Sequence, residues 1–146
     1  MLLITNLIAT DAPPVQLLQD YCNVYEKRDL KKMKKLFAKK TFSLGTGRDE
    51  ILNGWSAMEA QLKRDWTQSK TGRIELHKPI ITANNWASCT GTAHITLCNG
   101  EKIVWPNLRM SIVVTKENSK WKIAHTHASV PAIDQPEGRS FPSLNR

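Results

Sequence analysis

Residues 86–130 read WASCTGTAHITLCNGEKIVWPNLRMSIVVTKENSKWKIAHTHASV. Apolar and polar residues alternate along much of this stretch, which is the period of a half-buried strand. Asn99-Gly100 divides it, and that dipeptide between alternating residues is a strong short-range hairpin signal. Glu117-Asn118-Ser119 divides it again. Three long strands are expected: Trp86 to Cys98, Ile103 to Thr115 and Trp121 to Val130. Pro106 interrupts the middle one, and a proline inside a strand marks a bulge or an edge. A further strand begins at Ile74-Glu75-Leu76 and is turned by Ala83-Asn84-Asn85. Together they form a meander of antiparallel strands.

Upstream the period lengthens to that of a helix. Asp11-Ala12-Pro13-Pro14 places a capping Asp before a proline in the first turn. Val15, Leu18, Cys22 and Tyr25 follow on one stripe, with Tyr21 beside them, in a helix ending near Arg28. Asp29 caps a short second helix with the stripe Leu30, Met33 and Phe37. Thr41 to Leu44 reads as a short strand, broken by Gly45-Thr46-Gly47. That glycine pair lacks the strand–turn–helix setting of a phosphate loop, so it reads as a turn. A third helix starts at Asn53-Gly54, carries Trp55, Met58, Leu62 and Trp66, and ends before Gly72. Helices followed by a strand meander predict an α+β domain, with the helices on one face of a curved sheet. The domain is expected over residues 13–131, with an N-terminal extension at 1–12 and a proline-bearing tail at 132–146.

A chain of 146 residues is one ordinary domain. It carries a formal net charge of +8, and residues 27–40 hold a net +7 of it. Eight Lys and Arg lie in that segment against the single acid Asp29. Such a patch on a near-neutral body is a solvated helix face or a contact for an acidic partner. Nucleic acid is disfavoured, because no aromatic residue within the run Lys31 to Lys35 is available to stack bases. Those lysines also surround the helix rather than form one reading face. Three Cys are an odd number, which excludes a simple paired disulfide framework and fits a reducing, cytoplasmic compartment. No apolar run approaches the roughly 20 residues of a membrane helix, so no membrane insertion is expected. Met1 to Ala9 is apolar but lacks the positive start of a secretory signal.

The hairpins sort the side chains. Pairing Cys98 with Glu101 sets Thr96 opposite Ile103, His94 opposite Trp105 and Thr90 opposite Arg109. A five-residue loop over 116–120 sets Val113 opposite Ile123, Ser111 opposite His125 and Arg109 opposite His127. One face then carries Cys89, Ala93, Val104, Leu108, Met110, Ile112, Val114 and Thr126, and meets the helices. Its small members, Gly91, Ala93, Ala124 and Ala128, let the helices sit close or leave a cavity. The other face carries Ile103 and Ile123, and Trp105, Arg109, Trp121, His125 and His127. Aromatics and Arg with few Lys or Glu are interface composition, so a homodimer formed sheet to sheet is expected across those last five residues. The alternative is that this face lines a polar pocket.

Lys120-Trp121-Lys122-Ile123-Ala124-His125-Thr126-His127-Ala128-Ser129-Val130-Pro131 resembles the terminal strand of SnoaL-like proteins. These belong to the nuclear-transport-factor-2-like, or ketosteroid-isomerase-like, superfamily. The same pattern closes the oligomerisation domain of calcium/calmodulin-dependent protein kinases. Arg109-Met110-Ser111 resembles the motif that precedes it. Gly47-Arg48-Asp49-Glu50-Ile51 with Gly54, and Arg64-Asp65, are similar to the central helix region. The resemblance covers residues 15–131. It implies a cone-shaped, cystatin-like barrel: three helices packed on a strongly curved antiparallel sheet, with a pocket between them and usually a dimer. Relatives include isomerases, cyclases and dehydratases, and many are not catalytic, so the fold alone does not name a reaction.

Ketosteroid-isomerase chemistry needs a carboxylate base and a donor for the developing oxyanion. Tyr21 and Tyr25 both lie on the first helix, and no strand places an acid on the apolar face. No catalytic set is legible. Asp65, at the border of the third helix's apolar stripe, is the single candidate base. Otherwise it is a boundary residue paired with Arg64, Arg109 or water. Ligand-binding residues are expected at Tyr25, Trp55, Met58, Asp65, Trp66, Met110 and Thr126, although Trp55, Met58 and Trp66 at helical spacing read first as core. His125 and His127 lack a third ligand, so no metal is expected, and no cofactor. Three functional readings remain. The first is a homodimeric module binding a small, mostly apolar ligand. The second is an isomerase, cyclase or dehydratase with Asp65 as base. The third is an interaction protein using the basic segment 27–40.

Overall fold

The computed structural model describes residues 12–142. Three helices, α1 (Pro13–Lys27), α2 (Leu30–Leu36) and α3 (Trp55–Gln68), pack on a curved sheet. Its strands are β1 (Phe37–Leu44), β2 (Ile51–Asn53), β3 (Ser69–Leu76), β4 (Ile81–Ala83), β5 (Trp86–Leu97), β6 (Lys102–Glu117) and β7 (Lys120–Ser129). Their order across the sheet is β2-β1-β7-β6-β5-β3, with β4 paired to β5. The sheet curves without closing, so β2 lies at one edge and β3 and β4 share the other.

The helices start and stop for local reasons. α1 has proline in its first turn and ends at Arg28, whose φ of 57° is left-handed. Its N-cap is Ala12, which makes no side-chain capping bond; the expected cap, Asp11, lies outside the described residues, as does most of the extension 1–12. Asp29 caps α2 as expected, its Oδ1 accepting from the Lys32 amide at 2.9 Å. Gly54, with φ 87°, turns the chain from β2 into α3, a conformation open to glycine at little cost. Val15, Leu18 and Cys22 of α1, Met33 of α2 and Met58 and Leu62 of α3 are buried against Cys89, Leu108, Met110, Ile112 and Val114 of the sheet.

Several expectations are corrected. The sheet is mixed, because β1 runs parallel to β7, with Phe42 opposite His125 and Leu44 opposite His127. Strand β1 joins the free edge of the meander, which local reading of residues 41–44 did not reveal. Phe37 opens β1 rather than closing the stripe of α2; it is buried against Trp55 and Tyr21. β1 and β2 therefore interrupt the helices. Beyond Val130, residues 131–142 form no helix or strand.

Along β5, β6 and β7 the register departs from the expected pairing at both turns and at two irregularities. Around Asn99-Gly100, Thr96 faces Lys102 and His94 faces Val104, one residue from the expected pairing. A bulge then sets Ala93 opposite Trp105 and Gly91 opposite Leu108, which restores Thr90 to Arg109. One extra residue reverses the side of every side chain beyond it. Val104 is therefore exposed, while Ile103 and Trp105 are half-buried. At the next turn Glu117 faces Lys120, which sets Ile123 opposite Val114, so Ile123 is buried in the core rather than on the outer face; an irregularity between Val113 and Val114 then moves the register again. His125 then lies opposite Val113 and His127 opposite Ser111.

Candidate functional site

Between the helices and the concave face of the sheet lies a cavity of about 290 Å³. Ala93, Ile95, Ile103, Trp105, Leu108 and Met110 form its sheet wall. Tyr21, Tyr25, Met58, Leu62 and Asp65 line the helix side, and Glu50 and Gln61 stand at its margin. The small Ala93 and Ala128 leave room that larger side chains would fill. The volume is near the lower end of the roughly 300–1,000 Å³ of small-molecule sites.

A carboxyl-centred polar cluster stands on the helix side of this mostly apolar surround. Tyr25 Oη, from α1, donates to Asp65 Oδ2 of α3 at 2.9 Å. Gln61 Nε2 donates to Asp65 Oδ1 at 2.7 Å and to Glu50 Oε1 at 3.1 Å. Gln61 precedes Asp65 by one helical turn, so both project from one face of α3. Glu50 closes the 45–50 turn, its carbonyl accepting from the Gly45 amide at 2.9 Å. Arg64, on the outward side of α3, pairs with Asp49 and Glu50. Burial raises the Asp65 carboxyl above the ordinary carboxylate range, against the lowering effect of its Tyr25 and Gln61 donors. Burial likewise raises the Tyr21 and Tyr25 hydroxyls, so both stay protonated.

An aromatic row backs this cluster. The Tyr21 and Tyr25 rings stack at 6.3 Å, Trp66 lies 6.1 Å from Tyr25, and Trp55 lies 5.6 Å from Phe37. Trp55 and Trp66, expected among the ligand contacts, do not line the cavity. Both are half-buried and packed on the core, the alternative that helical spacing had left open. Trp55 Nε1 donates to Glu59 at 3.1 Å. Tyr25, Met58, Asp65, Met110 and Thr126 do line it, and Thr126 Oγ1 donates to Ser43 Oγ at 2.7 Å.

The five residues assigned to a dimer face fall in different places. Arg109 and His127 are exposed on the outer face of the sheet. His125 is half-buried, donating from Nδ1 to the Phe42 carbonyl at 2.8 Å and stacking on the Phe42 ring. Trp121 packs on the core beneath Lys116, whose ammonium lies 5.1 Å from the ring centre. Trp105 turns inward to the cavity wall, because the bulge beside Pro106 reverses its side.

Sequence reasoning missed Gln61, Glu50 and the joining of Tyr25 to Asp65. The spacing of Gln61 and Asp65 was a usable signal; the Tyr25 contact spans two helices and had none. Cys22, Cys89 and Cys98 are free thiols, and burial pushes Cys22 up to about 12, so that thiol is unreactive at neutral pH. Among the described residues, no three His, Cys, Asp or Glu side chains are grouped to hold a metal, and no helix is long and apolar enough to cross a membrane.

Three helices on a concave sheet, with a carboxyl in the enclosed space, define the cone of the nuclear-transport-factor-2-like superfamily. The chain matches the SnoaL-like domain over residues 15–133 and belongs to that family. A nuclear-transport-factor-2-like protein from Salmonella enterica superposes with a TM-score of 0.72 at 22% identity, over 86% of this chain and 93% of that one. A candidate dehydratase of that family from Streptomyces avermitilis gives 0.67 at 16% identity, over 84% and 98%. A protein with the ketosteroid isomerase-like fold from Catenulispora acidiphila, solved in complex with trimethylamine, gives 0.63 at 7% identity, over 82% and 87%. At these identities the likeness is one of fold alone. No curated protein matches the chain significantly.

Proposed function

We propose that this SnoaL-like domain is a homodimeric module that binds a small, mostly apolar ligand between its helices and its sheet. The carrying observation is a mostly apolar cavity with the hydrogen-bonded cluster Tyr25–Asp65–Gln61 set in its wall. Apolar walls supply affinity, and a few placed polar groups orient the ligand. The relative solved with trimethylamine supports small-molecule binding as a use of this fold. The exposed Phe42 ring, stacked on His125 beside the exposed His127, is aromatic outer surface that a partner sheet would cover, which supports the dimer. The three free thiols support a reducing, cytoplasmic setting.

Native mass spectrometry tests this reading. A dimer carrying a small mass that falls away on denaturation supports it. An unadorned chain that also binds no apolar dye removes it.

A second reading rests on Asp65. A carboxyl raised by burial and lining a cavity is suited to take a proton from carbon, as in an isomerase, cyclase or dehydratase. Tyr25 donates to Asp65 itself, so it would steady the base rather than the oxyanion. Deuterium wash-in from D2O beside the carbonyl of a small cyclic enone tests this. Exchange that disappears in Asp65→Asn supports it, and no exchange in the wild-type protein opposes it.

A further inference from the structure

Beside the cavity, toward edge strand β3, lies a second and more open cleft of about 610 Å³. Arg28 from the end of α1, Lys70 and Arg73 from β3, and Lys102 and His94 from the neighbouring strands stand in its wall. Glu26 is the one acid among the lining residues. Arg73, Ile95 and Ile103 line both spaces, so the cleft and the inner cavity abut.

The cleft's charge is partly held in place by the fold. Arg28 donates to the Trp66 carbonyl at 2.8 Å and to Ser69 Oγ at 3.0 Å, which anchors its guanidinium at the junction of α3 and β3. Arg73 leans on Glu75 at 3.5 Å. Lys70 and Lys102 are exposed and make no salt bridge among the described residues. His94 Nε2 is buried without a hydrogen-bond partner among the described residues, with the Glu75 carboxylate 3.6 Å away. Cations converging from separate elements on a concave surface focus a positive field there. The inner cavity carries its acids away from the shared Arg73: Asp65 on α3 and Glu50 on the 45–50 turn. A ligand bearing a negative group is repelled from that inner pole and attracted to the cleft.

We infer that the ligand is an amphiphilic anion. Its apolar body fills the inner cavity, and its carboxylate, sulfonate or phosphate sits in the cleft among Arg28, Lys70, Arg73 and Lys102. The inference deepens the small-ligand reading above and rests on it.

Two dyes with a common aryl skeleton separate the two. 1-Anilinonaphthalene-8-sulfonate carries the anion, and N-phenyl-1-naphthylamine is uncharged. In fluorescence titrations of the full chain at low salt, the sulfonate is expected to bind about tenfold more tightly, and the preference to shrink in 0.5 M NaCl as exposed charges are screened. The double variant Lys70→Gln, Lys102→Gln, exposed and confined to the cleft, is expected to weaken the sulfonate about fivefold and to leave the uncharged dye within about twofold. Ala93→Phe, or Ala128→Leu if the first fails to fold, fills the inner cavity and should weaken both dyes. Equal affinity for the two dyes, or a preference unchanged in the double variant, overturns the anion inference. Uncharged-dye binding that the filling variants abolish then leaves the cavity reading standing. Binding that ignores both filling variants, or no binding of either dye, overturns both.

Discussion

Tyr25 on α1 and Asp65 on α3 are joined by a 2.9 Å hydrogen bond inside the cavity wall. That bond ties the first helix to the third and holds the Asp65 carboxyl against the space beneath the sheet. The carboxyl is raised above its ordinary value because burial outweighs its two donors.

A raised carboxyl has a definite consequence for stability. The unfolded Asp ionises near about 3.9, and the folded one only at higher pH. Between those two values the folded state binds more protons, so stability falls as pH rises through that window and then levels off. Asp65→Asn cannot ionise and should lack this fall. Tyr25→Phe removes a donor to the charged form, so it should raise the carboxyl further and extend the fall to higher pH. Urea denaturation of the three proteins from pH 3.5 to 8 checks both. Parallel pH profiles for wild type and Asp65→Asn would show that Asp65 is not perturbed.

Leu62 is 1% exposed and packs where α3 meets the sheet, one turn from Asp65. Leu62→Ala should cost about 2–5 kcal/mol, the usual range for a buried leucine that leaves a cavity. His127→Ala, on the exposed outer face, should change monomer stability by less than about 0.5 kcal/mol. Urea midpoints at low protein concentration, where any dimer is dissociated, measure both.

Gly91 sits at the bulge between β5 and β6, close under β3. A Cβ there would lie 2.7 Å from the Glu75 carbonyl oxygen, and that atom belongs to the backbone. Gly91→Ala should therefore destabilise by about 1–3 kcal/mol through overpacking. A thermal melt of the variant lying within error of wild type would show that β3 moves away without cost.

The dimer reading predicts that Arg109→Glu and His127→Glu, each exposed on the outer face, yield folded monomers by sedimentation velocity. Trp105→Glu is not a test of the seam, because Trp105 faces the cavity. Two variants that remain dimeric would place the seam elsewhere, and a monomeric wild-type protein would remove the dimer from the proposal.

Much of the architecture was legible because its signals are local. Asp29 caps α2 through an amide three residues away, and Asn99-Gly100 makes its turn within four residues. The alternation across Cys89, Gly91 and Ala93, and again across Leu108, Met110, Ile112 and Val114, marks one buried face, which is what the structure buries. The cavity side of the site was legible in part. Tyr25, Met58 and Asp65 lie on helix stripes, and Met110 and Thr126 lie on the apolar face of their strands.

Elsewhere local pattern could not choose. Trp105 and Val104 are adjacent and both apolar, so either suits the inner face. The bulge opposite Gly91 decided for Trp105, because parity in a strand reverses with a single inserted residue. Phe37 fits a helix stripe or a strand equally well, and contact with Trp55 and Tyr21 placed it in β1.

The sequence by itself determined the element types, most of the turns and the apolar face of the meander, since each follows from residues within a turn or a strand repeat of one another. Only the tertiary structure decided that β1 lies parallel to β7, that Trp105 looks inward, and that Tyr25 meets Asp65. Those outcomes join residues 40 to 86 positions apart or turn on a one-residue slip. They are settled by which arrangement buries the most apolar surface while leaving the fewest polar groups unpaired.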